Sequence, residues 1–165
     1  MNPKYKQIGK VLSIETNVEV RLVKYEELDQ LLSLYGQLNN DDPILQKEQI
    51  SDLWFEIFND PNLYYVVVDV NGKLVSTCCL AIIKNLTRNA HPYGLVENVV
   101  THLDFRRKGY GKLVLTRALE IAWSKKCYKA MLLTGSKREE TLEFYENVGF
   151  QRGIKTGFVA LPPLS

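Results

Sequence analysis

The sequence predicts an α/β domain, a mixed sheet with helices on its faces. Three observations carry this. Apolar runs of strand length are interleaved with stretches of helical period along most of the chain. Asn71-Gly72 separates two of the apolar runs and is the strongest short hairpin signal, so part of the sheet is antiparallel. A strand, a glycine turn and a long amphipathic helix follow one another between residues 95 and 123. The chain has 165 residues, the size of one domain. It holds no repeat, low-complexity segment or linker. The expected division is an N-terminal extension over 1–17 and a single domain over 18–165.

The elements are read in chain order. Val18, Val20 and Leu22 alternate with Glu19 and Arg21, a strand. Leu28, Leu31, Leu32 and Tyr35 share one helical face. Asn39 to Pro43 breaks that helix. Ile50, Leu53, Trp54 and Ile57 repeat the helical spacing, and Asp60-Pro61 ends it. Tyr64–Val70 and Leu74–Ile83 are the hairpin strands. Residues 84–93 read as a polar loop. Leu95–Thr101 is a strand carrying Glu97 and Asn98. Val114, Leu115, Ala118, Leu119, Ile121 and Ala122 give the long helix a wide apolar face. Lys129–Thr134 reads as a strand and 138–147 as a helix stopping at Gly149. Phe150–Leu161 supplies one or two closing strands.

Composition narrows the function classes. The chain is 45% hydrophobic and 24% charged, as ordinary globular proteins are. Its 21 basic and 19 acidic residues give a net charge of +2, which argues against a coat for nucleic acid or membrane. Cys78, Cys79 and Cys127 contain no CxxC pair and read as buried thiols in a reducing compartment. The N-terminus lacks the apolar stretch of a signal peptide and no run reaches membrane-spanning length, so the expected location is the cytoplasm. His91 and His102 have no partner at metal-ligand spacing, and no metal is expected. Trp54, Phe55 and Phe58 form an aromatic stripe of the core or interface kind.

The chemistry concentrates at residues 95–123. Gly109 and Gly111 let the backbone turn tightly into a helix, so that N–H groups and the helix N-terminus converge on an anion. Arg106, Arg107, Lys108 and Lys112 surround that point with positive charge. The Walker pattern is absent, and the dinucleotide fingerprint fails because Val114 stands at its third glycine position. That disfavours an NAD-dependent oxidoreductase. The turn alone is equally a plain glycine-rich β-to-α connection with solvated lysines.

Arg106-x-x-Gly109-x-Gly111 resembles the coenzyme A loop of the GNAT acetyltransferase superfamily. Phe144-Tyr145-Glu146-Asn147-Val148-Gly149-Phe150 resembles that superfamily's second signature, and 33 residues separate Gly111 from Phe144, as the family arrangement wants. The strand Leu95–Val100 and the segment Cys127-Tyr128-Lys129 are similar to those of glucosamine-phosphate N-acetyltransferases. This chain has Arg107 where the loop often has Gly, Asn98 where the subfamily strand is acidic, and Arg138 where many members carry Asn.

The resemblance implies a GNAT fold, a mostly antiparallel central sheet splayed at its middle between the strands 95–101 and 129–134. It implies acetyl-CoA as cosubstrate, with Val99, Val100 and Thr101 along the pantetheine and Arg106, Arg107, Lys108, Gly109, Tyr110, Gly111 and Lys112 around the pyrophosphate. An alkyl amine has a pKa near ~10 and is mostly protonated at neutral pH, so a base must take its proton before it attacks a thioester. The resemblance gives that role to Glu97, with a surface carboxylate as the alternative. It gives the Val99 N–H the task of polarising the carbonyl. It makes Tyr145 the proton donor to the departing thiolate, with an aromatic that only packs on the cofactor as the alternative. The region of Trp54, Phe55 and Phe58 also lines the acceptor pocket in the resembling enzymes. The expected function is transfer of acetyl from acetyl-CoA to a primary amine of a small molecule by direct attack in a ternary complex. The rival is a non-catalytic module that binds and senses acetyl-CoA. A small-molecule amine is the expected partner, without nucleic acid or membrane, and a homodimer is compatible with the sequence.

Overall fold

A computed structural model describes residues 17–38, 43 and 45–163. The expected extension over 1–17 therefore lies, except for Asn17, outside the described residues, as does most of the break at 39–43. Five strands form one sheet in the order β1-β2-β3-β4-β5. They are β1 (Val18–Leu22), β2 (Leu63–Val70), β3 (Lys73–Ile83), β4 (Tyr93–Thr101) and β5 (Ala130–Met131). The first three pairings are antiparallel and β4 with β5 is parallel. The helices are α1 (Leu28–Tyr35), α2 (Ser51–Asn59), the single turn α3 (Thr87–Ala90), α4 (Tyr110–Ser124) and α5 (Glu139–Glu146).

The hairpin forms where Asn71-Gly72 sits. Asn71 and Gly72 have φ of 53° and 85°, the pair of left-handed residues that a two-residue hairpin turn needs. The sheet is covered on both sides. One face packs Val66, Val68, Val75, Cys78, Leu80 and Val96 against Val114, Leu115, Ala118 and Ala122 of α4, with Phe144 and Tyr145 of α5 alongside. The other face packs Val67, Leu74 and Val100 against Leu28, Leu31 and Leu34 of α1 and Trp54 of α2. Adjacent strand residues point to opposite faces, so Cys78 and Cys79 separate. The Cys78 Sγ reaches the Val114 carbonyl at 3.5 Å on the α4 face. All three cysteines are free and buried.

At the sheet's far side Arg21 of β1 ties three elements together. Its guanidinium donates to Glu27 at 2.5 Å and to Asp69 of β2 at 2.7 Å. The hydrogen bonds from Arg21 hold the Glu27 carboxyl below its ordinary pKa, against the opposing effect of burial.

Five expectations change. On α1 the buried stripe is Leu28, Leu31 and Leu34, with Leu32 only half-buried. On α2 only Trp54 is buried and Leu53 is exposed, because this short helix touches the core along one narrow line. The loop 84–93 contains α3, in which Arg88 and Asn89 take left-handed φ of 57°. The expected strand over 129–134 shrinks to Ala130–Met131. The closing strands over 150–161 do not form among the described residues. A strand needs a partner ladder, and this segment makes no backbone hydrogen bond to β5. Phe158, Val159 and Leu161 stay exposed.

Candidate active site

The site is built where the sheet opens. β4 meets β5 only at Gly94–Ala130 and Leu95–Met131. From Val96 to Thr101 that side of β4 has no strand beside it among the described residues, so its backbone groups face a gap. A ligand bearing amide groups fits such an edge as an added strand.

β4 is also bulged there. Thr77 pairs with Val100 and Cys79 with Glu97, so Cys78 alone opposes Asn98 and Val99. Asn98 takes a φ of 53°, and an asparagine tolerates that region better than most side chains. The extra residue resets the alternation of faces. Val96 and Val99 pack on the α4 side while Val100 packs on the α1 side. Tyr65, Cys79 and Glu97 form one cross-strand row, and cross-strand partners share a face. Tyr65 packs with the α1 cluster, so Glu97 stands on the α1 side, exposed to solvent. Tyr145 is half-buried in the α4 cluster. Burial raises its phenol pKa above the ordinary value, and the nearby Cys78 and Glu97 add to the shift. The two expected proton-transfer groups thus approach the open edge of β4 from opposite faces of the sheet.

Beyond β4 the chain turns into α4. Arg107 has φ 60° and Gly109 φ 83°. Gly109 is the residue before the first turn of α4 and has nothing within 4 Å of a would-be Cβ, so its backbone conformation alone calls for glycine. Left-handed residues beside a helix N-terminus turn several N–H groups toward one point, a cradle for an anion. Arg106, Arg107, Lys108 and Lys112 are exposed around it. The Arg106 Nε donates to the Thr101 carbonyl at 3.1 Å, and Lys108 lies 4.8 Å from the Phe105 ring centre. The Thr101 hydroxyl lies 2.8 Å from the Ser76 hydroxyl. Gly111 differs from Gly109. A Cβ there would lie 3.1 Å from Phe144 and 3.2 Å from Thr101. Its small size lets α4 approach α5 and β4, so a large side chain at 111 strains the fold as well as the cradle.

On the α1 side lies a cavity of about 670 Å³, within the usual range for small-ligand sites. Leu32, Tyr35, Leu38, Gln46, Lys47 and Asn98 are among its lining residues. Asn98 is the neighbour of Glu97, so the cavity opens beside the expected base. Trp54, Phe55 and Phe58 do not line it. The Trp54 indole N–H donates to the Tyr25 carbonyl inside the core at 2.9 Å, and Phe55 and Phe58 are exposed. Burial pushes the Cys79 thiol up to about 11 and raises the Cys78 thiol further, so neither is a thiolate at neutral pH. His102 accepts a hydrogen bond from the Asp104 N–H at 3.3 Å and opens a short 3-10 turn. No three metal-capable side chains converge among the described residues, and none of their helices is long and apolar enough to cross a membrane.

An opened sheet edge, a bulged strand and a basic glycine turn into a long helix define an acyltransferase of the coenzyme A-dependent kind. The chain belongs to the acetyltransferase (GNAT) family, whose model matches residues 26–150. It is 28% identical over 137 residues to glucosamine 6-phosphate N-acetyltransferase of Trypanosoma brucei brucei, covering 82% of this chain and 90% of that protein. Among solved structures it is similar to a protein assigned as an acetyltransferase from Agrobacterium tumefaciens strain C58. The two are 40% identical with a TM-score of 0.84, over 87% of this chain and 99% of that one. The glucosamine-6-phosphate N-acetyltransferase of Arabidopsis thaliana superposes with a TM-score of 0.78 at 25% identity, over 88% and 98%.

Proposed function

We propose that this enzyme transfers the acetyl group of acetyl-CoA directly to the primary amine of a small amino sugar, of which glucosamine 6-phosphate is the leading candidate. The observation that carries the reading is the meeting of two approaches at Glu97–Val99. The open edge of β4 and the α4 cradle lie to one side, and the cavity beside Asn98 lies on the other. The relatives named for glucosamine 6-phosphate support the acceptor class.

The residues divide the work as follows. Arg106, Arg107, Lys108, Gly109, Tyr110, Gly111 and Lys112 hold the pyrophosphate by charge and by N–H groups. Val99, Val100 and Thr101 line the pantetheine arm. Glu97 takes the ammonium proton, directly or through water, from the acceptor lying in the cavity. The Val99 N–H donates to the carbonyl oxygen as it gains negative charge. A nitrogen–carbon bond forms, the carbon–sulfur bond breaks, Tyr145 gives its proton to the sulfur, and the second proton that the nitrogen sheds on becoming an amide returns through water to the Tyr145 phenolate. The thiols of Cys78 and Cys79, held protonated by burial, favour direct attack over a covalent enzyme intermediate.

The test is a coenzyme A release screen against amino sugars and their phosphates, amino acids, polyamines, aminoglycosides and peptides. Saturable turnover with an amino sugar supports the proposal. Acetyl-CoA binding by calorimetry without turnover on any amine would make the chain a cofactor-sensing module instead.

A further inference from the structure

The acceptor cavity carries a single cation among its described lining residues, and its setting bears on what the acceptor brings besides an amine. Lys47 stands on a one-turn 3-10 helix, Lys47–Gln49, ahead of α2. The backbone of that turn is fixed by two reciprocal hydrogen bonds of 3.0 Å, Gln46 N–H to the Gln49 side chain and Gln49 N–H to the Gln46 carbonyl. The ammonium itself is only loosely held. It donates to Asp29 Oδ2 at 3.4 Å, and the two side chains are 55% and 65% exposed. An ion pair this long and this wet contributes little stability and exchanges readily. Among the described residues, Asp29 and Glu48 are the other charged ones of the lining. Asn98 also lines the cavity and presents an amide, which adds no charge beside Glu97.

A phosphorylated amino sugar has two recognition problems at its two ends. The amine must lose a proton near Glu97. The phosphate dianion must enter a cavity that already holds two carboxylates. A dianion in that company needs a cation able to leave its present partner, and Lys47 has the charge, the reach of a flexible stem and the weak tether. We infer that Lys47 is a specificity-determining residue that binds an anionic group, a phosphate ester, on the acceptor and leaves Asp29 to do so. This rests on the amino-sugar reading above.

The test compares wild type, Lys47→Ala, Lys47→Arg and Asp29→Asn with glucosamine and glucosamine 6-phosphate as acceptors, reading KM and kcat by coenzyme A release. In Lys47→Ala the KM for the phosphorylated sugar rises about tenfold, the scale of one hydrogen bond to a charged group. Its kcat changes little, and the preference for the phosphorylated sugar collapses. Lys47→Arg keeps the charge and restores much of that preference. Asp29→Asn frees the lysine and moves the preference the opposite way from Lys47→Ala. Loosening of the helical turn alone would move both sugars together and would count against the inference, as would an unchanged preference in Lys47→Ala. Reversed signs in the two variants would overturn it in favour of a cationic acceptor held by Asp29 and Glu48. Wild-type turnover of both sugars with equal KM, or of an acceptor with no anionic group, would overturn the Lys47 assignment and leave the acetyltransferase intact. Failure of wild type on every amine would remove the acceptor reading itself, and is read before any variant is made.

Discussion

The two halves of the sheet differ in kind. Over β2 and β3 the ladder runs the length of both strands with one register shift at Val68/Asp69, and Val66, Val67, Val68, Val75 and Leu80 have no exposure at all. Over the second half of β4 no strand among the described residues lies on the β5 side, alternation is interrupted at Asn98 and polar side chains reach solvent. The first half holds the fold, and the second is where we place the chemistry. The separation allows β4 to carry a left-handed residue and an open edge, because β3 still pairs with β4 on either side of the bulge and with β2 along its other edge. Perturbing one half should therefore leave the property of the other in place.

Leu80→Ala strikes the first half hardest. It removes a fully buried side chain packed between β2, β4 and α4 and should cost about 3 kcal/mol of unfolding free energy. Denaturant titration measures that loss, and kcat per folded molecule should hold. Glu97→Gln is its counterpart at the open edge. We expect kcat to fall about 10²-fold, the scale of general-base catalysis, with the unfolding midpoint and acetyl-CoA affinity unchanged. A lower midpoint would place Glu97 in the structural half and blur the division.

Tyr145→Phe tests the border, since Tyr145 packs in the core and is also the expected proton donor. A thiol pKa near ~8.5, by analogy with cysteine, makes the thiolate a fair leaving group without help, so the kcat loss should be only about 10- to 10²-fold. Burial keeps the phenol protonated above its ordinary range, so the deficit should be constant from roughly pH 6 to 9. A loss confined to alkaline pH, or a loss of cofactor affinity instead of rate, would make Tyr145 a packing residue.

The smallest expected effect is electrostatic and belongs to the first half. The folded state holds the Glu27 carboxyl below its ordinary pKa. Its contribution is therefore complete above the unfolded value near ~4.3 and fades as the pH drops through the lower folded value. Glu27→Gln should unfold more easily than wild type at neutral pH, with the difference closing in acid. A difference that persists in acid would mean that Glu27 acts through packing and not through charge.

What the sequence disclosed follows the same line. Asn71-Gly72 and the apolar runs on either side of it were legible because hairpins are local. Gly109 was legible because a left-handed residue before a helix leaves a glycine behind. The bulge at Asn98 was not, since a pattern of period two has no place for an inserted residue. Its trace was an asparagine inside a valine-rich run. The shortness of β5 was hidden because strand length depends on a partner distant in sequence. Lys47 and Asp29 are ordinary surface residues in the sequence, and only folding brings them to one cavity. The metal-free and location expectations concern absences and stay as expectations.

The open flank of β4 has a consequence for handling and for life in a crowded solution. An unpaired strand edge is a template for the edge of another chain and so a seed for aggregation. A ligand that occupies the edge only in the folded state shields it, and at a hundredfold excess over its Kd adds about 2.7 kcal/mol to stability. The shelf life of this protein should therefore track the acetyl-CoA in the tube, and the cofactor pool of a cell would act as its chaperone.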